Sequence, residues 1–163
     1  MRVNGDTVDY NNYFGTARYQ EKPWWTGDTF PVGTNDNNYV LFSAGGADYI
    51  GLSLEYCPPD DAVSWANNVL NTYSNRKAII STHAFLSAGT IPSNCDSRPR
   101  DSDFPERNNP QEIRDKLIVT NENVFFVLNG HYNPGFEPGS YPENVLRGGG
   151  NRREDTTPSG RVV

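Results

Sequence analysis

The sequence lacks several features that would assign it to a functional class at once. No run of about 18 apolar residues occurs, so no membrane-spanning helix is predicted, and the N-terminus lacks the apolar stretch of a signal peptide. The formal net charge is −6, and the basic residues form no stripe that could follow a polyanion. We therefore predict neither a membrane span nor a nucleic-acid partner.

Cysteine and histidine are also scarce, with two of each in the chain. Cys57 and Cys95 are compatible with two free thiols or with one bridge that closes the loop containing His83. The cysteines therefore leave the compartment open. Abundant Asn, Tyr and Trp with very little Lys favour an exported parent, either secreted or periplasmic.

Both histidines follow short apolar runs of strand type. The run "VFFVL" at residues 124–128 is unbroken, which predicts a strand buried on both faces, and His131 follows it closely. The run before His83 is similar. If the two strands are parallel neighbours, both imidazoles lie at one sheet edge and could share a metal ion. Alternatively, each histidine is an ordinary loop residue.

The segments around these strands predict helices and a hairpin. Asn109 suits an N-cap, Pro110 suits the first helical position, and Ile113 and Leu117 stand four apart on one face. Gly45 and Gly46 separate two further strands, as in a hairpin. A second helix, within residues 58–77, has an apolar stripe that we assign to the core: Ala62, Trp65, Ala66, Val69, Leu70 and Tyr73.

The predicted organisation is one α/β domain in three parts. A loop-rich lead-in covers residues 1–37, a strand and helix core covers residues 38–133, and a Gly- and Pro-rich tail covers residues 134–163 and leads into a further strand. The order of elements predicts a mostly parallel sheet with flanking helices. Arg98, Arg100 and Arg107 alternate with acidic residues and are expected in a solvated loop.

An isolated histidine after one strand, then a helix, then an apolar strand ending in Gly-His, resembles the C-terminal half of the calcineurin-like metallophosphoesterases. The resemblance extends from about Asn11 to Val163 and implies part of an αββα sandwich, truncated at both ends. It implies that His83 and His131 bind one metal of a binuclear pair, and that divalent Zn, Fe or Mn serves as cofactor.

The chain departs from the family pattern at two places. Asn133 stands where the last motif has its second histidine, and an amide oxygen is a poorer ligand than imidazole for Zn²⁺ or iron. The first three family motifs, Asp-x-His, Gly-Asp and Gly-Asn-His, are absent. The resemblance makes them the source of the bridging carboxylate and the proton donor, so no residue of this chain is predicted to be catalytic.

The resemblance implies that this chain is a fragment of a phosphoesterase. The complete parent is expected to hydrolyse a small phosphate mono- or diester, and the isolated chain is expected to be inactive. The alternative is a carbohydrate- or partner-binding module. In that interpretation, the aromatic side chains of the lead-in stack on sugar rings and its asparagines supply hydrogen bonds. The aromatic residues concerned are Tyr10, Tyr13, Phe14, Tyr19, Trp24 and Trp25.

Overall fold

The computed structural model describes residues 7–86, 90–93, 95 and 107–130, and the backbone of residues 145–146. The strands are β1 (Asp28–Phe30), β2 (Asn37–Ala44), β3 (Ala47–Ser53), β4 (Lys77–Thr82), β5 (Val124–Asn129) and β6 (Val145–Leu146). The helices are α1 (Val8–Phe14), α2 (Asp60–Thr72) and α3 (Pro110–Ile113); a 3-10 turn (Thr16–Arg18) follows α1, and a π-helical turn (Arg114–Ile118) continues α3.

The six strands form one mixed sheet in sequence order, from β1 at one edge to β6 at the other. The central pairs β3–β4 and β4–β5 are parallel, whereas β1–β2, β2–β3 and β5–β6 are antiparallel. The chain is therefore α/β in class, but the prediction of a mostly parallel sheet is wrong. Helical crossovers impose parallel pairing in the middle, whereas the outer strands pair antiparallel with their neighbours.

The predicted hairpin is present between β2 and β3. Gly45 and Gly46 form its two-residue connection, and both have positive φ, +58° and +78°. Two consecutive residues with positive φ match the twist of the flanking strands, and glycine adopts this conformation without a steric penalty. The glycine pair therefore sets the register in which Ala44 faces Ala47.

The two predicted helices are also present. Asn109 caps α3: its side chain accepts a hydrogen bond from the Glu112 backbone N–H, and the Glu112 carboxylate accepts one from the Asn109 N–H. This reciprocal capping box begins the helix at Pro110, as expected. Ile113 and Leu117 are fully buried, so the stripe predicted from their spacing faces the core.

The helices cover one face of the sheet, and the apolar core lies between them. Along β4 the buried residues alternate with half-buried ones, so β4 turns only one face to the helices. Trp65 and Tyr73 of the α2 region pack at the margin of this core, which confirms their assignment to packing. The core residues are Ile50, Leu52, Leu54, Val63, Ala66, Val69, Leu70, Ala78, Ile80, Phe85, Leu86, Ile113, Leu117, Ile118, Val124 and Val127.

The prediction that β5 is buried on both faces is wrong. Leu128 is 43% exposed, and Phe125 and Phe126 are half-buried. Ala78 pairs with Val124 and Ile79 pairs with Phe126, so Phe125 is an extra residue in the ladder. This bulge explains the missing alternation in the sequence, because two consecutive phenylalanines can then follow one buried valine without a second buried face.

The lead-in has more structure than its composition predicted. The short α1 helix is fastened to the loop before β2, where the Asn11 side-chain N–H donates to Asp36 Oδ1 over 3.0 Å. The Asn11 Oδ1 also accepts from the Asn35 N–H over 2.6 Å. In the part of the chain that the structure describes, no helix has the length and apolar character needed to cross a membrane.

Candidate functional site

The carboxyl ends of β4 and β5 lie side by side. Thr82 is in register with Asn129, and the Gly130 N–H donates a hydrogen bond to the His83 carbonyl oxygen over 3.1 Å. Parallel pairing therefore brings His83 and the residue that precedes His131 in sequence to the same edge of the sheet. The expected adjacency of the two strand ends is confirmed. His131 and Asn133 lie outside the described residues, so their assignment as metal ligands stays a prediction.

The His83 side chain is exposed, although the segment that carries it is firmly anchored. Thr82 before it is buried and donates its hydroxyl to the Glu55 carbonyl over 3.2 Å. Ala84, Phe85 and Leu86 after it are almost completely buried. The backbone on both sides is thus fixed by packing, while the imidazole projects from it. Such a residue is well placed to bind a ligand at the edge of a rigid scaffold.

The Tyr56 ring lies against the His83 imidazole. The two ring centroids are 5.5 Å apart and the ring planes are inclined by 75°, which is an edge-to-face arrangement. Tyr56 lies three residues after the end of β3, so this contact joins the segments that follow β3 and β4. Tyr56 is not among the site residues predicted from the sequence. A tyrosine shortly after an apolar strand gives no signal of its own, because the contact depends on how β3 and β4 pair.

Asn129 occupies the last position of β5 and faces the loop after β4. Its amide N–H donates to the Leu86 carbonyl over 3.1 Å. Its Oδ1 is buried and receives no hydrogen bond from the rest of the described chain. A buried oxygen in this state is costly, so this end of the sheet retains an acceptor that a further group could satisfy.

The described residues do not build a metal site on their own. Within residues 7–86, 90–93, 95 and 107–130, no group of three or more His, Cys, Asp or Glu side chains could hold a metal ion. His83 is the one predicted ligand among them. Structural Zn²⁺ sites use four ligands, so any site that includes His83 requires ligands from outside this part of the chain.

A partly buried ion pair lies beside the site. The Arg107 guanidinium is 3.2 Å from Glu55 Oε2, and the two side chains are 21% and 10% exposed. Arg107 also donates to the Tyr56 and Cys57 carbonyls over 3.1 and 3.2 Å. Asn37 binds the other side of Glu55, donating to its Oε1 and accepting from its backbone N–H. The prediction of a solvated Arg107 is therefore wrong, while Arg98 and Arg100 lie outside the described residues.

A disulfide joins Cys57 to Cys95, with their Cα atoms 6.0 Å apart. Of the two open alternatives, the bridge is present, and it closes the 38-residue separation that contains His83. Cys57 follows Tyr56 directly and has a positive φ of 49°, which a side chain other than glycine rarely adopts. The disulfide, the Arg107 bonds and this sharp turn together hold the segment after β3.

Three aromatic residues of the lead-in form a separate cluster. Tyr19, Trp24 and Trp25 have ring centroids 5.9 to 6.3 Å apart, and Trp24 is 58% exposed. Thr26, the residue after Trp25, bonds through its hydroxyl to the Leu41 carbonyl, which fastens this cluster to β2. The neighbouring asparagines use their amides internally: Asn11, Asn35, Asn37 and Asn38 all bond within the chain.

Comparisons with known proteins give one informative similarity. No family model matches the chain, and no solved structure matches it significantly. Among curated proteins, it is similar to the uncharacterized protein YvnB of Bacillus subtilis (strain 168), with 28% identity over 131 residues. The alignment covers 79% of this chain and 9% of that protein, so the chain spans only a small part of the length of its relative.

Proposed function

We propose that this chain is part of a metal-dependent phosphoesterase, in which His83 and His131 bind one metal of a binuclear site and Asn133 is a weak ligand to the other. The substrate of the complete protein is a small phosphate mono- or diester. The observation that carries the proposal is the hydrogen bond from Gly130 N–H to the His83 carbonyl. It supports a site in which two neighbouring parallel strands each end in a histidine.

The reach of the chain supports the same pairing. Consecutive Cα atoms are about 3.8 Å apart, and Gly130 is already in hydrogen-bond contact with His83. The proposal therefore requires only that the His131 side chain, one residue beyond Gly130, turn towards the exposed His83 imidazole. A metal pair bound in the complete protein would activate a water molecule and neutralise charge on the phosphoryl oxygens.

The part played by this chain is to hold ligands rather than to carry out the chemistry. His83 supplies an imidazole from an anchored backbone. Two cations about 3.5 Å apart need a bridging carboxylate to offset their repulsion, and we assign that group to another part of the parent. The chain alone should therefore bind a metal weakly and hydrolyse no phosphoester.

Metal titration tests the proposal directly. Calorimetry with Zn²⁺ should detect weak binding to the chain, and His83→Ala and His131→Ala should each reduce the affinity by at least roughly tenfold, the loss that follows even from removing an outer-shell partner. Asn133→His should tighten binding, because imidazole is the better ligand. The matched control is Asn75→His, which adds an imidazole at the exposed opposite end of β4 and should have no effect on the site.

Activity separates the proposal from its alternatives. The isolated chain should hydrolyse an activated aryl phosphate no faster than the metal in buffer. A longer protein that includes the missing motifs should turn over, and should lose most of its activity on His131→Ala. Zn²⁺ binding unaffected by either histidine variant would refute the site, and rapid turnover by the chain alone would show that its catalytic groups lie elsewhere.

A carbohydrate-binding module is the second candidate, and the exposed Trp24 favours it. A sugar ring could stack on this indole beside Tyr19 and Trp25. The internal bonding of the nearby asparagines weighs against it, because those amides are committed to the fold. Glycan binding that is lost in Trp24→Ala but retained in Phe42→Ala, which removes an exposed aromatic ring outside the lead-in, would support this candidate.

A further inference from the structure

We propose that Tyr56 is a positioning residue for His83, and that the Cys57–Cys95 disulfide holds Tyr56 in that role. The proposal deepens the proposed function, because it concerns the orientation of a predicted metal ligand. Its first test measures the NMR signals of the His83 imidazole and needs no metal. The two ideas can therefore fail separately.

The first step concerns the imidazole. The His83 backbone is fixed by its buried neighbours, but its exposed side chain still has its own torsions. The edge-to-face contact with Tyr56, at 5.5 Å between centroids, restricts those torsions from one side. A metal ligand held in one rotamer binds with less loss of conformational entropy than a freely rotating one.

The second step concerns Tyr56 itself. Its hydroxyl donates a hydrogen bond to the Cys95 carbonyl. Arg107 binds the Tyr56 carbonyl over 3.1 Å, so the ring is fixed at both its backbone and its hydroxyl end. A ring that is held at two ends can restrain the His83 imidazole. A ring that is attached only at its backbone would move together with that imidazole.

The third step concerns the acceptor. Cys95 is 39 residues from Tyr56 in sequence and is joined by the disulfide to Cys57, the residue next to Tyr56. The disulfide therefore holds the Cys95 carbonyl where it can accept the hydrogen bond from the Tyr56 hydroxyl. Reduction by a dithiol transfers two electrons and two protons, converting the bridge to two thiols and the reductant to a cyclic disulfide. The carbonyl is then no longer held beside Tyr56.

The experiment uses the two histidines as reporters. Long-range proton–nitrogen spectra of the metal-free chain contain two imidazole signal sets, and the variant His131→Gln identifies that of His83. Tyr56→Leu removes the ring and should shift the His83 signals. Tyr56→Phe keeps the ring and loses the hydroxyl, so it should give a smaller shift in the same direction. Tyr13→Phe, at an exposed tyrosine, is the matched control and should change neither set.

Reduction with dithiothreitol completes the test. In the wild-type chain it should shift the His83 signals as Tyr56→Phe does, and in the Tyr56→Phe variant it should add little, because both changes remove the same hydrogen bond. Full additivity would overturn the role of the disulfide. His83 signals that are identical in the wild type and Tyr56→Phe would overturn the positioning role, even if Tyr56→Leu or the reduced chain unfolds.

A Zn²⁺ titration of the same samples links the result to the proposed function. If His83 is a ligand, Tyr56→Phe should weaken binding by a measurable factor, smaller than the loss in His83→Ala. If the wild-type chain binds no Zn²⁺ while the imidazole signals respond as described, the proposed metal site fails and the positioning of His83 by Tyr56 stands. If Zn²⁺ binds through His83 but equally well in Tyr56→Phe, the proposed metal site stands and the positioning of His83 by Tyr56 fails.

Discussion

The two faces of the sheet differ in how completely they are buried. On the helix-covered face, Ile50, Ile80 and Val124 have no solvent exposure. On the opposite face, Phe42 is 41% and Leu128 is 43% exposed, and the rings of Phe42 and Tyr49 stack at 5.2 Å. The first face is therefore fully buried in the apolar core. The second combines apolar rings with partial exposure.

This difference shows that a single strand serves two environments at once. In β4, Ala78 and Ile80 are buried beneath the helices, while Ile79 between them is half-buried on the other side. Hydrophobic burial contributes in proportion to the area removed from water. Side chains of one type, one residue apart, should therefore contribute very different amounts to stability.

The largest effect should come from the covered face. Ile80→Ala leaves a cavity in a fully buried site and should lower the free energy of unfolding by about 2–5 kcal/mol. Ile79→Ala, the matched variant on the opposite face, should cost clearly less, because Ile79 is only half-buried. Urea denaturation of both variants measures the difference. Equal losses would mean that the opposite face is packed as tightly as the core.

The next effect tests whether the edge that carries His83 is held as firmly as the covered face. Arg107→Met keeps an aliphatic chain but removes the donor shared by Glu55 and the carbonyls of Tyr56 and Cys57. Losing these hydrogen bonds at partly buried acceptors should cost about 1–3 kcal/mol.

Arg114→Met is the control for the loss of an arginine charge. Its ion pair with Asp115 is exposed, with side-chain exposures of 37% and 55%, and exposed pairs contribute about 0–1 kcal/mol. Thermal melts of both variants give the comparison. If Arg107→Met is no worse than Arg114→Met, the carboxyl edge is supported mainly by its disulfide and packing.

The sequence predicted those parts of the fold whose signals are local. The glycine pair of the hairpin, the capping box at Asn109 and the apolar stripe of α2 each depend on residues close together in the chain. The parallel neighbours β4 and β5 followed from the helix between them. These elements position His83, so its place at the sheet edge could be predicted as well.

The remaining features depend on partners far apart in sequence. Arg107 looked like a solvated loop residue, and it binds Glu55, 52 residues away. In the sequence, Asn11 looks like an exposed loop residue, but in the structure its side chain donates a hydrogen bond to Asp36. The bulge at Phe125 arises from how β5 pairs with β4, and local composition cannot reveal it. Tyr56 was missed for the same reason, because its role is set by contacts with His83 and Cys95.

The smallest expected effect concerns a surface tether between the helices of the covered face. Asp60, at the start of α2, accepts hydrogen bonds from Lys116 over 2.7 Å and from Asn108 over 3.1 Å. These bonds, the one from Lys116 first, hold the pKa of the Asp60 carboxyl below its usual value. A carboxyl whose pKa is depressed by folding adds stability above its unfolded pKa, and that stability is lost as the pH falls through the folded pKa.

Asp60→Asn should therefore lower the free energy of unfolding near pH 7, but by less than about 1 kcal/mol, because the pair is exposed and screened by water and salt. The deficit should shrink as the pH falls below about 4, where the carboxyl of the unfolded wild-type chain becomes protonated. Asp61→Asn is the control: it removes a neighbouring charge from the same helix end, where any carboxylate interacts favourably with the helix dipole. If both variants lose the same stability with the same pH dependence, the effect comes from the charge at the helix terminus. In that case the bond from Lys116 to Asp60 contributes nothing to the free energy of unfolding.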